Sequence, residues 1–96
     1  HDLEAKQDAH RRYERFKQQY IGRDIAEFGC GSGNFLRLVS NDCNSCVGIE
    51  LQKDFVEFLN NDGMRCVQSL SEIDDNSLDS IFSFHSLVLP RSFRLF

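Results

Sequence analysis

Three alternating glycines in the stretch DIAEFGCGSGNF constrain the fold of this chain more than any other feature. Gly29, Gly31 and Gly33 follow a short apolar run, Asp24 to Phe28, and precede an apolar pattern with helical spacing. Glycine allows the chain to turn sharply and allows a ligand to approach the backbone closely. The N-terminus of the following helix has unpaired N–H groups and a partial positive charge. The stretch therefore predicts a strand–loop–helix unit that binds an anionic or strongly polar group.

The rest of the chain alternates helical patterns with short apolar runs. Ala9, Tyr13, Phe16 and Tyr20 form one stripe of a first, amphipathic helix. The predicted elements are a helix from Asp2 to Tyr20, strands at 24–28, 46–51, 64–67 and 78–84, a helix that begins near Gly33 or Asn34, and a short helix around Phe55–Leu59. Alternation of this kind favours parallel strands joined by right-handed crossovers. We therefore predict a single α/β domain over residues 1–96.

The overall composition is that of a small globular protein with an acidic balance. The hydrophobic fraction is 41% and the formal net charge is −4. A domain that wraps nucleic acid would usually carry a basic surplus, so nucleic acid is not the expected partner. No apolar run approaches the length of a membrane span, and no signal peptide is evident. We therefore predict a cytoplasmic location and no membrane partner.

The spacing of the four cysteines is weak evidence for a metal site. Cys43 and Cys46 have the C-x₂-C spacing of a zinc half-site. A tetrahedral site needs two further ligands, and the sequence has no second C-x₂-C and no H-x₃-H pattern. In a cytoplasmic setting we expect reduced thiols, with neither a zinc ion nor a disulfide.

Three classes of ligand compete for the glycine stretch. A Walker-type phosphate loop ends in Gly-Lys-Ser/Thr, whereas GSGNF contains no lysine. A dinucleotide fold prefers G-x-G-x-x-G, and Asn34 stands where that pattern needs its third glycine. The third class is S-adenosylmethionine, and it is favoured by a resemblance that extends over most of the chain.

DIAEFGCGSGNFL resembles motif I of the class I, Rossmann-like S-adenosylmethionine-dependent methyltransferases, whose pattern is D/E-x-G-x-G-x-G. Glu27, Gly29, Gly31 and Gly33 match its four fixed positions. VGIEL resembles the second motif of the family, in which an acid ends the second strand, and Glu50 fills that position. SLDSIFSFHSL resembles the motif of the fourth strand. The three motifs occur in the family's order.

The resemblance implies a cofactor, a reaction and a set of binding residues. It implies that Glu27 helps to hold the ammonium of the donor, that Glu50 accepts hydrogen bonds from the ribose hydroxyls, and that Leu51 lies against the adenine. It places Ser69 near the adenine edge, and Phe84 with the histidine that follows it beside the transferable methyl group. No catalytic residue is identified. The full set of implied cofactor-binding residues is Glu27, Gly29, Cys30, Gly31, Gly33, Glu50, Leu51, Ser69 and Phe84.

The resemblance covers only the first part of the family's fold. The family has a seven-stranded sheet of order 3-2-1-4-5-7-6, and this chain matches strands 1 to 4. We predict a helix over 1–22, a cofactor-binding core over 23–87 and an atypical tail over 88–96, with strand order 3-2-1-4. The fourth strand then lies at an edge that is open to pairing. Truncation and completion by a second copy in a homodimer both remain open explanations.

Two functions remain open at this stage. The first is a methyltransferase, or the cofactor-binding half of one, that acts on a small-molecule acceptor. The second is a non-catalytic, truncated remnant that binds S-adenosylmethionine or only self-associates. The acceptor and its reacting atom are not indicated by any residue pattern in the sequence.

Overall fold

The structure, a computed structural model, describes residues 2–84. In chain order, its elements are α1 (Asp2–Arg15), α2 (Lys17–Tyr20), β1 (Asp24–Phe28), α3 (Asn34–Val39), β2 (Ser45–Ile49), α4 (Lys53–Asn61), β3 (Cys66–Val67), a 3-10 turn (Leu70–Glu72) and β4 (Ser80–Ser83). His85 and the predicted tail over 88–96 lie outside the described residues. None of the helices in the described part combines the length and apolar composition needed to cross a lipid bilayer.

The four strands form one parallel sheet in the order β3-β2-β1-β4. β1 pairs with β2 along its whole length, from Asp24 opposite Ser45 to Phe28 opposite Ile49. On its other side β1 pairs with β4 in parallel, with Glu27 opposite Phe82. The predicted fold class, a Rossmann-like parallel sheet of order 3-2-1-4 flanked by helices, is confirmed.

The first predicted helix is interrupted at Phe16. Phe16 has φ −105° and ψ 22°, which lies outside the helical region and separates α1 from α2. Its ring packs against Phe82 and Phe84, with ring centroids 5.9 Å and 5.8 Å away. The uninterrupted helix predicted from Asp2 to Tyr20 is therefore wrong at this residue, where packing against β4 accompanies the break.

The two faces of the sheet are packed differently. Successive side chains of a strand point to opposite faces, so Ile25 and Ala26 of β1 belong to different clusters. The first face is covered by α1, α2 and α3, which contribute the buried residues Ala9, Tyr20, Phe35 and Val39. The opposite face packs against the segment between β3 and β4, chiefly Leu70, Ile73 and Leu78. The predicted stripe of the first helix thus packs on the first face.

Strand ends differ from the predicted bounds in ways that matter for the site. β2 ends at Ile49, so Glu50 lies just beyond the strand and not inside it. β3 has only two residues, because its ladder pairs only with Gly48 and Ile49 of β2. β4 is also shorter than predicted, and Phe84 follows its last residue. β2 and β4 thus end before their predicted carboxyl ends, whereas β3 is shorter at its amino end.

A polar clasp holds the opposite, amino end of the sheet. The Asp24 carboxylate accepts hydrogen bonds from Asn44 Nδ2 at 2.6 Å and Ser45 Oγ at 2.7 Å. These bonds lower the pKa of Asp24. Its backbone N–H donates to Asp79 Oδ2 at 2.8 Å, and its carbonyl accepts from the Asp79 N–H at 2.7 Å. The clasp joins the starts of β1, β2 and β4.

Candidate functional site

Several predicted site residues lie at one edge of the sheet, where its parallel strands end. Glu27 is the penultimate residue of β1, Glu50 directly follows β2, and Phe84 directly follows β4. β2 and then β3 lie on one side of β1, whereas β4 lies on its other side. The order in which strands are added therefore reverses beside β1. Open α/β sheets bind ligands in the crevice at such a reversal. The glycine loop, residues 29–33, leaves β1 at this point.

Two glycines of the loop have different reasons to lack a side chain. Gly31 has φ +56°, and a Cβ built on it would meet no other atom within 4 Å. Gly33 has φ +83°, and a Cβ there would lie 2.6 Å from Leu59 Cδ2. Residues with a side chain rarely adopt such positive φ angles. Gly33 therefore allows α3 to begin against α4, while Gly31 leaves bare backbone beside open space.

Glu50 is buried and hydrogen-bonded to the backbone. Its Oε1 accepts from the Gly31 N–H at 3.0 Å and its Oε2 accepts from the Gln52 N–H at 2.7 Å. A carboxylate has about four lone-pair sites, so both oxygens retain capacity for ligand hydroxyl groups. The residue predicted to bind ribose also ties the glycine loop to the end of β2.

Glu27 is buried without such support. Its Oε1 has no hydrogen-bond partner among the residues that the structure describes. Burial raises the pKa of Glu27 to about 8, the Arg12 guanidinium opposes this rise, and the Glu50 carboxylate adds to it. A buried carboxylate that lacks a donor is unfavourable. A ligand that brings a cationic donor to this oxygen would therefore be favoured.

A cavity of about 630 Å³ opens beside Glu50. Its lining includes the predicted residues Gly29, Glu50, Leu51 and Ser69, together with the apolar Phe28. Pockets for small ligands are typically mostly apolar with a few convergent polar groups. The predicted residues outside this lining are Glu27, Cys30, Gly31, Gly33 and Phe84.

Ser69 lines the cavity while its polar groups serve a local turn. Its hydroxyl oxygen accepts from the Ser71 N–H at 3.2 Å, and its own N–H donates to the Glu72 carboxylate at 3.1 Å. Ser69 and Glu72 thus form a capping box at the start of the 3-10 turn. Gln68 also lines the cavity and was missed by sequence reasoning. Its place directly after β3, at the carboxyl end of a strand, is the signal that could have revealed it.

Cys30 turns its thiol into the core. Its sulfur lies 3.9 Å from the sulfur of Cys66, and a Cβ built on Gly48 would approach it to 2.5 Å. Burial raises the pKa of both thiols, and all four cysteines are free. Within residues 2–84 no three or more His, Cys, Asp or Glu side chains are grouped as a metal site. The backbone of Cys30, and not its thiol, is the part left for a ligand.

Phe84 belongs to an aromatic cluster, and its ring is also in contact with the guanidinium of an arginine. Its ring lies 5.1 Å from Phe35 and 5.8 Å from Phe16, measured between ring centroids. The Arg12 guanidinium lies 4.2 Å from the centroid of the Phe84 ring. Arg12 was missed by sequence reasoning, although its position suggests a special role. It stands between Ala9 and Phe16 at helical spacing, so it is a charged residue on the apolar face of α1.

The sequence pattern of a known family, described as Methyltransferase domain, matches residues 26–89, which is more than half of the chain. Comparison with curated protein sequences finds no significant match.

Solved structures provide an independent comparison of the fold. DesVI from Streptomyces venezuelae is 14% identical, with 84% of this chain and 36% of that one covered and a TM-score of 0.61. An S-adenosylmethionine-bound amino pentose methyltransferase from Micromonospora echinaspora is 17% identical, with 82% and 36% covered and a TM-score of 0.61. A candidate RNA methyltransferase from Pyrococcus horikoshii is 16% identical, with 79% and 42% covered and a TM-score of 0.63.

The likeness to these structures is one of fold, and the chain spans between 36% and 42% of their lengths. The family match covers β1 through β4, including the glycine loop and Glu50. The chain therefore belongs to the methyltransferase-domain family, and this membership confirms the predicted cofactor, S-adenosylmethionine.

Proposed function

We propose that this chain binds S-adenosylmethionine across the carboxyl edge of its sheet and is the donor-binding part of a methyltransferase for a small-molecule acceptor. The observation that carries the proposal is the cavity beside Glu50, because four residues predicted from the sequence line it. The mostly apolar wall suits a nucleoside ring, and the Glu50 carboxylate suits the two ribose hydroxyls. In this proposal Leu51 contacts the adenine and Ser69 lies near its edge.

The unpartnered oxygen of Glu27 supports the fit of the donor. This oxygen is buried among the described residues without a hydrogen-bond donor, and the ammonium group of the cofactor would supply one. A cation at this position also favours the ionised form of Glu27, whose pKa burial raises to about 8. Gly31 leaves open space beside the loop, so the backbone there is accessible to the same ligand.

When bound, S-adenosylmethionine supplies a methyl group that is already activated on a sulfonium. The residues of this chain then hold and orient the donor, which is a proximity effect. We assign Glu50 to the ribose, Glu27 to the ammonium, the backbone of Gly29, Cys30, Gly31 and Gly33 to the methionine part, and Phe84 to an apolar wall near the reacting end. The rigid strand ends on which Glu27 and Glu50 stand favour a fixed donor geometry.

A small-molecule acceptor is favoured over nucleic acid by the charge balance. The chain carries a formal net charge of −4, whereas binding to nucleic acid depends on a surplus of Lys and Arg near phosphates. One of the similar structures is an amino pentose methyltransferase and another is a candidate RNA methyltransferase. The acidic balance favours an acceptor of the first kind. The cytoplasmic location and the homodimer through β4 stay predictions.

Isothermal titration calorimetry on the full chain tests the proposal. We expect S-adenosylhomocysteine, the product form of the cofactor, to bind with a stoichiometry of about one, because a single switch point is present in the described sheet. NAD should give no binding heat under the same conditions. A folded chain that binds NAD, or that binds neither compound, would contradict the proposal.

Methyl transfer requires a separate assay, because the chain spans only 36% to 42% of the length of the similar structures. Incubation with S-adenosylmethionine carrying a labelled methyl group, together with a panel of small hydroxyl, amine and thiol acceptors, measures transfer directly. Labelled product supports the methyltransferase. Donor binding without transfer to any acceptor supports the alternative function, a non-catalytic chain that retains only the donor site.

A further inference from the structure

The outer edge of β3 faces away from the rest of the described sheet. β3 lies at the end of the strand order, and its inner side pairs only with Gly48 and Ile49 of β2. The carbonyls of Arg65 and Val67 point inward, because each accepts a hydrogen bond of 2.9 Å from that side. Alternate residues of a strand direct their N–H and C=O groups to opposite sides, so those of Cys66 point outward. Cys66 is buried, and its two backbone groups therefore need partners within the protein.

Asn60 supplies both partners from the last turn of α4. Its Oδ1 accepts from the Cys66 N–H at 2.9 Å, and its Nδ2 donates to the Cys66 carbonyl at 3.1 Å. A carboxamide carries the same kinds of donor and acceptor as a peptide group, so it pairs with Cys66 as a neighbouring strand would. These bonds reinforce a ladder of only two residue pairs. Asn60 thus holds the side of β3 that the sheet leaves without a strand.

β3 leads directly into one wall of the cavity beside Glu50. Gln68 and Ser69 follow the strand and line that cavity. The carboxylate of Glu50, in contrast, is held by hydrogen bonds from Gly31 and Gln52, which do not belong to β3. A shift of β3 would therefore displace the wall of the cavity more than it would displace the acid.

We propose that Asn60 is a positioning residue for the base of the donor, and that it acts through β3 on the wall formed by Gln68 and Ser69. This inference rests on the proposed function and extends it to a residue of α4. Asn60 lies outside the lining of the cavity, so its effect on binding passes through the backbone of Cys66. The fit of the base then depends on a side chain that does not touch it.

The test compares S-adenosylhomocysteine with S-ribosylhomocysteine, which has the ribose and the amino-acid group but lacks the base. Calorimetry on the full chain measures the first ligand directly and the second by displacement of the first. The wild type should bind S-adenosylhomocysteine more tightly, because only this ligand fills the mostly apolar cavity. The ratio of the two affinities therefore measures the contribution of the base.

Asn60→Asp is the first variant, because it keeps the shape of the side chain and the acceptor for the Cys66 N–H. An ionised carboxylate has no donor, so one of its oxygens would face the Cys66 carbonyl oxygen. We expect the affinity ratio to fall about tenfold, chiefly through weaker binding of S-adenosylhomocysteine. Asn60→Ala is the second variant, and it should lower the ratio as well, because it removes both hydrogen bonds.

Asn61→Asp is the matched control, because Asn61 is exposed at the next position of α4 and receives the same change of charge. It should keep the ratio of the wild type. The ratio within one variant is independent of the folded fraction, because partial unfolding lowers both apparent affinities equally.

Two outcomes overturn the role of Asn60 and leave the proposed function intact. One is a wild-type ratio in both Asn60 variants, and the other is an equal fall of the ratio in Asn61→Asp. A wild type that binds neither ligand, or binds both equally, overturns the proposed function and the role of Asn60 with it.

Discussion

The surroundings of Glu27 and Glu50 differ although both glutamates are buried at the same edge of the sheet. Glu27 is 5% exposed and Glu50 is 7% exposed. Glu50 accepts hydrogen bonds from two backbone N–H groups, while Glu27 Oε1 accepts none from the described residues. Burial alone therefore does not determine the role of a glutamate side chain at this site. The carboxylate with partners stabilises the loop, and the carboxylate without them is suited to a ligand.

The difference follows from where each residue stands relative to its strand. Glu27 lies inside β1, in register with Gly48 on one side and Phe82 on the other. The backbone N–H groups of a central strand are used by the ladders on both sides. Glu50 follows the end of β2, where the loop and the turn still have N–H groups to donate. A buried acid within a strand thus lacks the donors that are available one residue past a strand end.

Replacing Glu50 with alanine should have the largest effect, because it removes a ligand acceptor and two loop hydrogen bonds together. The N–H groups of Gly31 and Gln52 would lose their acceptor. We expect the free energy of unfolding to fall by about 2–4 kcal/mol, since two part-buried hydrogen bonds to a charged acceptor are lost together. Binding of S-adenosylhomocysteine should be lost as well. Urea unfolding and calorimetry measure the two effects.

Glu57→Ala is the control for this substitution. Glu57 lies on the exposed side of α4, and its only ion pair among the described residues is with Lys53 at 3.9 Å. Exposed pairs of this kind contribute little, so the free energy of unfolding should change by about 0.5 kcal/mol or less. Equal stabilities of the two variants would show that Glu50 does not support the loop.

The Glu27→Gln substitution should distinguish Glu27 from Glu50, because its effect on the free energy of unfolding should depend on pH. The pKa of Glu27 is about 8 in the folded protein and 4.5 ordinarily. Between these values the folded state binds more protons than the unfolded state, so the stability of the wild type falls as pH rises. The amide does not ionise and removes this dependence. At pH 9 we expect the variant to be more stable than the wild type by about 1–3 kcal/mol.

Urea unfolding at pH 4, 7 and 9 measures this difference. At pH 4 the wild-type carboxyl is largely protonated in both states, so the two proteins should differ least there. The charges that act on Glu27 are Arg12 and Glu50, and both keep their identity in the variant. Parallel stability curves for the two proteins would show that the folded-state pKa of Glu27 is not raised.

Local patterns in the sequence predict most of the fold. The glycine spacing predicts the loop, and the alternation of apolar runs with helical stretches predicts the parallel sheet, because both depend on neighbours along the chain. Glu50 is predicted as a ligand residue from its motif. Its bond to Gly31 is not, because the donor comes from a different loop. The break at Phe16 is missed for the same reason, since the ring packs against residues of the distant β4.

The sequence contains a charged residue on the apolar face of the first helix, but the hydrophobic pattern alone does not predict its role. Arg12 falls between Ala9 and Phe16 on the stripe that packs against the sheet. Its proximity to Phe84 arises only when α1 packs against the end of β4. Helical spacing places Arg12 on the buried face, but the partner on that face is fixed by tertiary packing.

Gly31→Ala should have the smallest effect on stability. It distinguishes two roles of the glycine loop, which are to position Glu50 and to contact the ligand. The N–H that donates to Glu50 is kept, and the added Cβ meets no atom of the protein within 4 Å. The left-handed φ of +56° alone should lower the free energy of unfolding by about 1 kcal/mol. Because the methyl group points into the open space beside the loop, S-adenosylhomocysteine should bind roughly tenfold more weakly.

Gly63→Ala provides the matched control, because Gly63 has φ +82° and also has open space around its added Cβ. Gly63 is exposed after α4, away from the glycine loop, so this variant should lose similar stability and keep the wild-type affinity. Equal affinities of the two variants would mean that the loop only positions Glu50. A loss confined to Gly31→Ala would mean that the loop backbone contacts the ligand itself, while its hydrogen bond to Glu50 stays in place.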